Sequence, residues 1–177
     1  MIRFKFLHTA ALHDDEKGAM RALLDTCFDG DFADSDWSHA LGGMHVLAYD
    51  EDDLVGHGCV VQRSMLMGEQ PMRCGYIEAI AVQEQRRGEG IGGNITAWLT
   101  EFVRQAYDFG ALGATDLGRP VYERHGWQEW RGELAVMAPD GLRAQDDDRG
   151  SVLVLQCATP LDLDARLACD WRIGDVW

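Results

Sequence analysis

Apolar and polar residues alternate over residues 3–9, which is the pattern of a half-buried β-strand and predicts a first strand. Three further strands, at residues 45–49, 54–64 and 72–82, are predicted from the turn residues that separate them. Between the first two, apolar residues recur at helical spacing after Asp14 or Asp15, either of which can cap a helix. The segment after that helix, residues 29–37, is acidic and aromatic, and we expect it to form a loop.

The second half of the chain predicts a strand–helix–strand unit. A long helix is indicated by apolar or small residues at helical spacing, namely Ile91, Ile95, Trp98, Leu99, Phe102, Val103 and Ala106. After it the pattern predicts, in order, a short buried strand at 110–114, a short helix at 120–125, and strands at 127–137 and 151–158 joined by a loop over 140–150. This order indicates one mixed α/β domain over residues 1–177, with antiparallel hairpins first.

The junction between the fourth strand and the long helix is rich in glycine: residues 82–92 are Val-Gln-Glu-Gln-Arg-Arg-Gly-Glu-Gly-Ile-Gly. Such a turn leaves backbone N–H groups unpaired at the positive end of the helix dipole, where a phosphate or pyrophosphate binds. Glycines at 88, 90 and 92 let the backbone approach the anion. The spacing fits neither the phosphate loop of nucleoside triphosphatases nor the Gly-x-Gly-x-x-Gly of dinucleotide sites.

The composition is strongly acidic, with 30 acidic and 16 basic residues and a net charge of −14. This argues against nucleic acid as a partner, because its phosphates need basic patches, and it permits a cationic substrate. The five cysteines are scattered and contain no Cys-x-x-Cys, so we expect neither a disulfide framework nor a metal site. The absence of a long apolar run and of a signal-peptide pattern predicts a cytoplasmic protein that does not span a membrane.

Two residues could carry acid–base chemistry. Glu78 interrupts the apolar stretch 76–82, and because burying an unpaired charge is costly, we expect it to face a cleft as a base. The alternative is an outward-facing residue on a half-exposed strand. Tyr122, on the predicted short helix, could protonate a thiolate; the alternative is a ring packed with its hydroxyl group in water.

Several segments resemble known acetyltransferases. Gln85-Arg86-Arg87-Gly88-Glu89-Gly90 resembles the Arg/Gln-x-x-Gly-x-Gly pyrophosphate loop of the GNAT N-acetyltransferase superfamily. Residues 120–127 resemble that superfamily's last motif, where a tyrosine lies near the coenzyme sulfur. Closer resemblance to the aminoglycoside 2′-N-acetyltransferases is found at Asp29-Gly30-Asp31-Phe32 with Asp36-Trp37, at Leu41-Gly42-Gly43-Met44-His45, at residues 74–79 and at residues 169–177.

The resemblance implies the GNAT fold, a mostly antiparallel mixed sheet flanked by helices, with splayed central strands that hold acetyl-CoA. It implies acetylation of the 2′-amine of aminoglycoside antibiotics, which confers resistance. The implied coenzyme contacts are the backbone groups of Ile80, Ala81 and Val82 for the pantetheine arm, and of Arg87, Gly88, Glu89, Gly90, Ile91 and Gly92 for the pyrophosphate.

The resemblance also implies the catalytic and substrate-binding residues. Glu78 acts as a remote base through water, Tyr122 acts as the general acid toward the coenzyme thiolate, and the α-carboxylate of Trp177 lies in the substrate site. The implied substrate contacts are Asp31, Asp36, Glu78, Ala79, Gly113, Asp148, Asp175 and Trp177. Asp148 is our choice among the three acids at 146–148.

One departure leaves the substrate open. Gly113-Ala114-Thr115 occupies a segment where the family has serines that touch the substrate. The alternatives are therefore the same chemistry on kasugamycin or on another amine, such as a polyamine or an amino-acid derivative, and a degenerate domain that binds acetyl-CoA or a drug without turnover. Dimers are common in the family, so the resemblance allows a homodimer, although no residue of this sequence indicates an interface.

Overall fold

The strands and helices follow the hydrophobic pattern most closely in the first half of the chain. The computed structural model describes residues 1–177, which divide into a first unit, residues 1–61 and 77–99, and a second unit, residues 62–76 and 100–177. The first unit contains β1 (Ile2–His8), α1 (Asp14–Cys27), α2 (Asp34–Ala40) and β2 (Met44–Asp50). Three elements run through both units: β3 (Asp53–Met67), β4 (Gln70–Val82) and α3 (Ile91–Ala106).

The remaining elements belong to the second unit. They are β5 (Phe109–Gly113), α4 (Arg119–Glu123), β6 (Gln128–Glu129), β7 (Leu134–Ala138), β8 (Gly141–Ala144), β9 (Val152–Gln156) and β10 (Leu167–Asp170). Short 3₁₀ turns occur at Thr9–Ala11 and Glu84–Arg86. None of the helices is both long and apolar enough to cross a membrane.

In the first unit, β1 pairs with β2 and β2 with β3, both antiparallel, as expected for a domain that begins with antiparallel hairpins. Helix α1 buries Met20, Leu23 and Leu24, each of which contributes about 1.5–3 kcal/mol of apolar burial. Helix α3 approaches β3 closely, because a Cβ atom at Gly58 would lie 2.7 Å from a methyl carbon of Ile95. This packing fixes the start of α3, and with it the glycine-rich turn, beside the sheet.

In the second unit the strand order is β6-β9-β5-β4-β3-β10-β7-β8. The parallel pairing of β4 with β5 covers Cys74–Tyr76 against Phe109–Ala111 and ends there, while β4 continues to Val82. The parallel β4–α3–β5 unit confirms the predicted strand–helix–strand order. Backbone groups on this edge of β4 beyond Tyr76 lie outside that ladder.

Four local predictions were wrong. The N-cap of α1 is His13 rather than Asp14 or Asp15, since the Glu16 side chain accepts a hydrogen bond from the His13 amide at 3.1 Å. The acidic segment, residues 29–37, is only partly a loop, because α2 begins at Asp34. The predicted strand 127–137 is two strands, β6 and β7, and the predicted loop 140–150 contains β8.

The break between β6 and β7 has a packing cause. A Cβ atom at Gly132 would lie 1.8 Å from the carbonyl oxygen of Ala165, so the chain there passes directly against another backbone segment. Amides of Arg131 and Gly132 both donate to the carbonyl of Leu163, at 3.0 and 2.9 Å, instead of to a neighbouring strand. The segment that they contact leads into β10, a strand that the hydrophobic pattern did not predict.

Candidate active site

The glycine-rich turn has an open backbone ahead of α3. Gly88 and Gly90 have φ values of +85° and +82°, and a Cβ atom built on either glycine meets no atom within 4 Å. The amide of Asn94 donates to the carbonyl of Gly90 at 3.0 Å, so the amides of Ile91–Gly93 precede the first intrahelical bond. These N–H groups lie at the positive end of the helix dipole and can bind an anion.

Side chains around this turn form ion pairs. The Arg86 guanidinium contacts Glu89 and Asp50, both at 2.9 Å, and it holds the pKa values of both carboxyl groups below their usual range. The turn is therefore tied to the β2–β3 hairpin. The amide of Arg87 donates to the carbonyl of Glu84 at 3.1 Å, which leaves the exposed Arg87 guanidinium as the group that this residue can offer an anion.

Strand β4 is distorted next to Glu78. Ala79 has a φ of +51°, a left-handed conformation that costs a residue with a Cβ atom about 1–3 kcal/mol and that concentrates at functional sites. The Ala79 carbonyl accepts a hydrogen bond from His57 Nδ1 at 2.8 Å, and the Glu78 carbonyl accepts one from the Cys59 thiol at 3.4 Å. Glu78 itself is half-buried, as expected for a carboxylate at a cleft.

The acidic segment lies against the same strand. Phe32 and Trp37 belong to one apolar cluster with Ala79 and Ala81. Asp31 is exposed, whereas the Asp36 carboxylate accepts a hydrogen bond from the Ala33 amide at 2.9 Å and caps α2. The second oxygen of Asp36 lies 4.0 Å from His39 Nδ1, so both of its oxygens have a neighbour within α2, and Asp31 is the freer of the two predicted acids.

The end of the chain is docked in the second unit. Val176 and Trp177 are buried, and the Val176 carbonyl accepts hydrogen bonds from Arg63 at 2.6 Å and from the Cys169 thiol at 3.4 Å. Arg63 also binds Asp170 at 2.7 Å. A Cβ atom at Gly113 would lie 3.8 Å from the carbonyl carbon of Trp177, so the predicted contacts Gly113 and Trp177 are neighbours.

Two further predicted acids interact in this unit. Burial raises the pKa of Asp148, and the negative charges of Asp175 and Asp147 raise it further. Asp148 is half-buried, whereas Asp146 is exposed and pairs with Arg149 at 3.6 Å. Asp148 is therefore the best placed of the three acids at 146–148 to meet a ligand, and a cation beside Asp148 and Asp175 would relieve their repulsion.

Tyr122 is positioned by α4. Its ring lies edge-on to that of Trp127, with the two centroids 6.3 Å apart, and burial raises the pKa of its phenol to about 12. The hydroxyl group is therefore protonated at neutral pH. It can donate a hydrogen bond or a proton to a thiolate that forms beside it.

The predicted residues thus fall into two groups. In the first unit the structure packs the acidic segment against Ala79 and Ala81, next to Glu78, and the glycine-rich turn belongs to the same unit. In the second unit it brings together Gly113 with Trp177, and Asp148 with Asp175. Tyr122 belongs to the second unit as well.

Comparison with known proteins decides the family. The model of the acetyltransferase (GNAT) domain matches residues 8–130. An aminoglycoside 2′-N-acetyltransferase of Mycolicibacterium fortuitum is 40% identical over 178 residues, which cover 98% of this chain and 91% of that protein. The chain belongs to the aminoglycoside 2′-N-acetyltransferase family of GNAT enzymes. It is an acyltransferase, and the predicted family is confirmed.

Solved structures confirm the GNAT fold, mixed α/β with a mixed sheet flanked by helices. Escherichia coli ElaA superposes with a TM-score of 0.61 at 19% identity, covering 88% of this chain and 100% of ElaA. An acyl-CoA N-acyltransferase from Pseudomonas aeruginosa gives a TM-score of 0.62 at 14% identity, covering 88% of this chain and 99% of that one. At such identities the likeness concerns the fold alone.

GNAT acetyltransferases use acetyl-CoA, and the residues of this chain fit that ligand. The open glycines at 88 and 90 and the unpaired amides at the start of α3 suit its pyrophosphate. The stretch of β4 beyond Tyr76, which continues past the β5 ladder, suits its pantetheine amides. The predicted contacts at Ile80–Val82 and Arg87–Gly92 remain a prediction.

We expect Gly90→Val to weaken acetyl-CoA binding at least about tenfold, which is about 1.4 kcal/mol. The new side chain meets no protein atom, so it would project toward the space that we assign to the pyrophosphate. Gly68→Val is the matched control, because Gly68 also has a positive φ, +61°, and open space around its Cβ position. Calorimetry should show weaker binding for the first variant alone; parent-like affinity of Gly90→Val would remove the pyrophosphate assignment.

The sequence did not single out three buried polar residues that support these groups. His45 and His57 are fully buried beneath Ala79, and Arg63 is 3% exposed beneath the end of the chain. His45 belongs to a motif that was recognised by resemblance alone, and His57 and Arg63 lie in β3 among apolar residues. A charged or imidazole side chain inside an apolar strand is the signal that could have identified them.

Proposed function

We propose that this enzyme transfers the acetyl group of acetyl-CoA to the 2′-amine of an aminoglycoside. The observation that carries the proposal is the gathering of acidic residues in the second unit around the half-buried Asp148, whose pKa is raised first by burial and then by the negative charges of Asp175 and Asp147. Carboxylates that repel one another are stabilised by a ligand with several ammonium groups. The 40% identity to the M. fortuitum enzyme supports the same substrate class.

Recognition in this proposal uses charge-assisted hydrogen bonds. Asp31 and Asp36 of the acidic segment, Asp148 and Asp175 of the second unit, and the α-carboxylate of Trp177 accept them from substrate ammonium groups. Gly113 leaves room beside Trp177, because its missing side chain would have pointed toward the Trp177 carboxyl carbon. Smaller aminoglycosides that make fewer contacts, kasugamycin among them, fit the same arrangement.

In this proposal the acetyl group passes directly from the coenzyme sulfur to the drug nitrogen. Glu78, through a water molecule, takes a proton from the 2′-ammonium group, and the neutral nitrogen then attacks the acetyl carbonyl carbon. The carbon–sulfur bond breaks, and the electron pair goes to the coenzyme sulfur. Tyr122 donates its phenolic proton to that sulfur, the acylated nitrogen releases its second proton to solvent, and the Tyr122 phenolate regains a proton from solvent. The products are an N-acetyl drug and a free thiol. The high pKa of Tyr122 keeps this proton in place until the thiolate forms.

We expect Tyr122→Phe to lower kcat by about 10²-fold with little change in the KM for the drug, because the phenol acts on the leaving group and not on the amine. Tyr107→Phe is a matched control: Tyr107 is another partly buried tyrosine of the second unit, and its ring packs on Phe102. Steady-state kinetics with both substrates varied measures the effect. Parent-like turnover of Tyr122→Phe would exclude the phenol as the acid.

A thiol-release assay with a matched set of amines tests the proposed substrate class. The set contains an aminoglycoside with a 2′-amine, its analogue with a 2′-hydroxyl group, kasugamycin, a polyamine and an amino-acid amide. Turnover of the 2′-amino drug but not of its 2′-hydroxy analogue supports the proposal. Turnover of the polyamine or the amide alone would assign the enzyme to another substrate class, and binding without turnover would indicate a non-catalytic domain.

A further inference from the structure

A chain of three polar side chains runs through the interior of the first unit. Thr9 Oγ1 lies 2.7 Å from His45 Nε2, His45 Nδ1 lies 3.0 Å from His57 Nε2, and His57 Nδ1 lies 2.8 Å from the carbonyl oxygen of Ala79. Both imidazoles have no exposed surface. Burial lowers the pKa of His45 to about 3 and that of His57 to about 4, so both rings are neutral at neutral pH.

The Ala79 carbonyl at one end of this hydrogen-bond chain fixes the direction of every hydrogen bond in it. A carbonyl oxygen can only accept, so His57 Nδ1 carries the proton and His57 Nε2 is an acceptor. His45 Nδ1 must then donate to His57 Nε2, which leaves His45 Nε2 as the acceptor for the Thr9 hydroxyl proton. Two neutral imidazoles with protons on Nδ1 satisfy all four ring nitrogens without an unpaired group.

The Thr9 end of this hydrogen-bond chain is anchored by the motif Leu41-Gly42-Gly43-Met44-His45. The Gly42 amide donates to Thr9 Oγ1 at 2.8 Å. The single hydroxyl proton has two acceptors within reach, His45 Nε2 at 2.7 Å and the Gly43 carbonyl at 3.2 Å; we assign it to the nearer one, since the Gly43 carbonyl already accepts from the Thr9 amide. Gly43 cannot carry a side chain, because a Cβ atom there would lie 2.0 Å from the carbonyl oxygen of Val60. The motif therefore holds Thr9 and His45 in register beneath β3 without contact to any ligand.

The other end of the hydrogen-bond chain is Ala79, the strained residue of β4. Ala79 has its unusual φ of +51° immediately after Glu78 and immediately before Ile80, the first of the proposed pantetheine contacts. The neighbouring Glu78 carbonyl is held by the Cys59 thiol at 3.4 Å, so both carbonyls of the distorted stretch are bound by β3 side chains. Strain of this kind persists only where surrounding contacts determine the backbone.

A metal ion is the other ligand set that these atoms suggest, since one ligand atom each of His45, His57 and Cys59 lie within 4.8 Å of one another. The ring nitrogens that face each other are 3.0 Å apart, the length of a hydrogen bond. Two nitrogens on a tetrahedral zinc, with bonds of about 2.0–2.1 Å, would be about 3.3 Å apart. The Cys59 thiol is also engaged with a carbonyl, and burial raises its pKa well above its usual range.

We propose that Thr9, His45 and His57 are positioning residues, whose hydrogen-bond chain holds Ala79 in its left-handed conformation and thereby sets Glu78 and the pantetheine edge of β4 for acetyl transfer. The part that concerns Glu78 rests on the proposed function. The part that concerns the backbone of Ala79 does not, and it can be measured in the absence of any substrate.

The first experiment is ¹⁵N NMR of the histidine side chains in the unliganded protein at neutral pH. The hydrogen-bond chain requires both His45 and His57 to be neutral with the proton on Nδ1, the less common tautomer. Observation of that pair of tautomers supports the proposal. Protonation on Nε2 in His57 would overturn it, because no donor would then face the Ala79 carbonyl, and stoichiometric zinc in elemental analysis of the purified protein would overturn it in favour of a metal site.

The second experiment compares two substitutions at one position. His57→Leu removes the donor, and His57→Asn places an amide N–H near the former Nδ1, from which it can reach the Ala79 carbonyl. We expect His57→Leu to weaken acetyl-CoA binding and to lower kcat by about tenfold to 10²-fold, with faster amide exchange at residues 78–80, and His57→Asn to restore most of each. Thr96→Val is the control, because Thr96 is equally buried in the same unit and its hydroxyl group has no hydrogen-bond partner.

The outcomes separate this proposal from the proposed function. If the enzyme acetylates no aminoglycoside, the tautomers, the acetyl-CoA affinity and the exchange at residues 78–80 still decide whether the chain holds Ala79. If His57→Leu does not fold, the tautomers of the parent and the kinetics of His57→Asn decide it. Equal loss in His57→Asn and His57→Leu, or parent-like affinity and exchange in both, would overturn the positioning role.

Discussion

Glu78→Gln should lower kcat/KM for the aminoglycoside by about 10²-fold, the low end of what a general base contributes, because the proposed proton transfer runs through water. The amide keeps the size of the side chain and its place in β4, so the affinity for acetyl-CoA should hardly change. Stopped assays of product formation measure kcat/KM, and calorimetry measures the affinity for acetyl-CoA.

Glu69→Gln is the control for this substitution, because Glu69 is an exposed glutamate in the turn between β3 and β4 and lies on no proposed path of a proton. It should leave the kinetics unchanged. A Glu78→Gln enzyme with parent-like kcat/KM would show that another group, or solvent alone, accepts the proton.

Asp148→Asn should raise the KM for the aminoglycoside about 10- to 150-fold and leave the acetyl-CoA affinity unchanged. This range corresponds to the loss of one charge-assisted hydrogen bond, roughly 1.5–3 kcal/mol. The structural reason is that Asp148 is half-buried and the negative charge of Asp175 acts on it, so a substrate ammonium group beside Asp148 would relieve this repulsion. Isothermal titration with the drug, in the presence of coenzyme A to block turnover, measures the affinity directly.

Asp146→Asn is a matched control, since Asp146 lies in the same turn but is exposed and pairs with Arg149. Both substitutions remove one negative charge from the same segment, so a long-range electrostatic effect would weaken binding equally in both. Equal losses would therefore show that only the net charge of the segment matters. Unchanged affinity in Asp148→Asn would remove this residue from the substrate site.

Much of the first unit could be predicted from the sequence because its elements are determined locally. Strand β1 alternates, strands β2, β3 and β4 are separated by clear turn residues, and α3 follows a turn whose glycines favour a left-handed backbone. Gly88 and Gly90 have the positive φ values that such a turn requires. The family could also be predicted, since its motifs are contiguous in the sequence.

Predictions failed where structure depends on distant contacts. Strand β10 pairs with β7 and β3, both far away in sequence, and its own four residues carry no clear alternation. Helix α2 is short and polar on most of its surface, so its periodicity was weak. The left-handed Ala79 could not be predicted at all, because alanine has no preference for that conformation and the chain from Thr9 to His57 that meets it is assembled by tertiary structure.

The site, too, could be predicted only in part. The sequence and the resemblance predicted Glu78, Tyr122 and the acids, and the structure adds that the charge of Asp175 acts on Asp148 and that Gly113 is a neighbour of Trp177. The roles assigned to these side chains remain predictions. The buried supports, His45, His57 and Arg63, became visible only through their hydrogen bonds, since buried polar residues are recognisable by their partners.

The most direct test of the central claim is to locate the acetyl group on the product. The enzyme is incubated with acetyl-CoA and an aminoglycoside that carries amines at several positions, and the product is analysed by mass spectrometry and two-dimensional NMR. The account predicts the addition of a single acetyl group, located on the 2′-nitrogen. Acetylation at any other amine of the drug, or no product under conditions in which acetyl-CoA is bound, would contradict it.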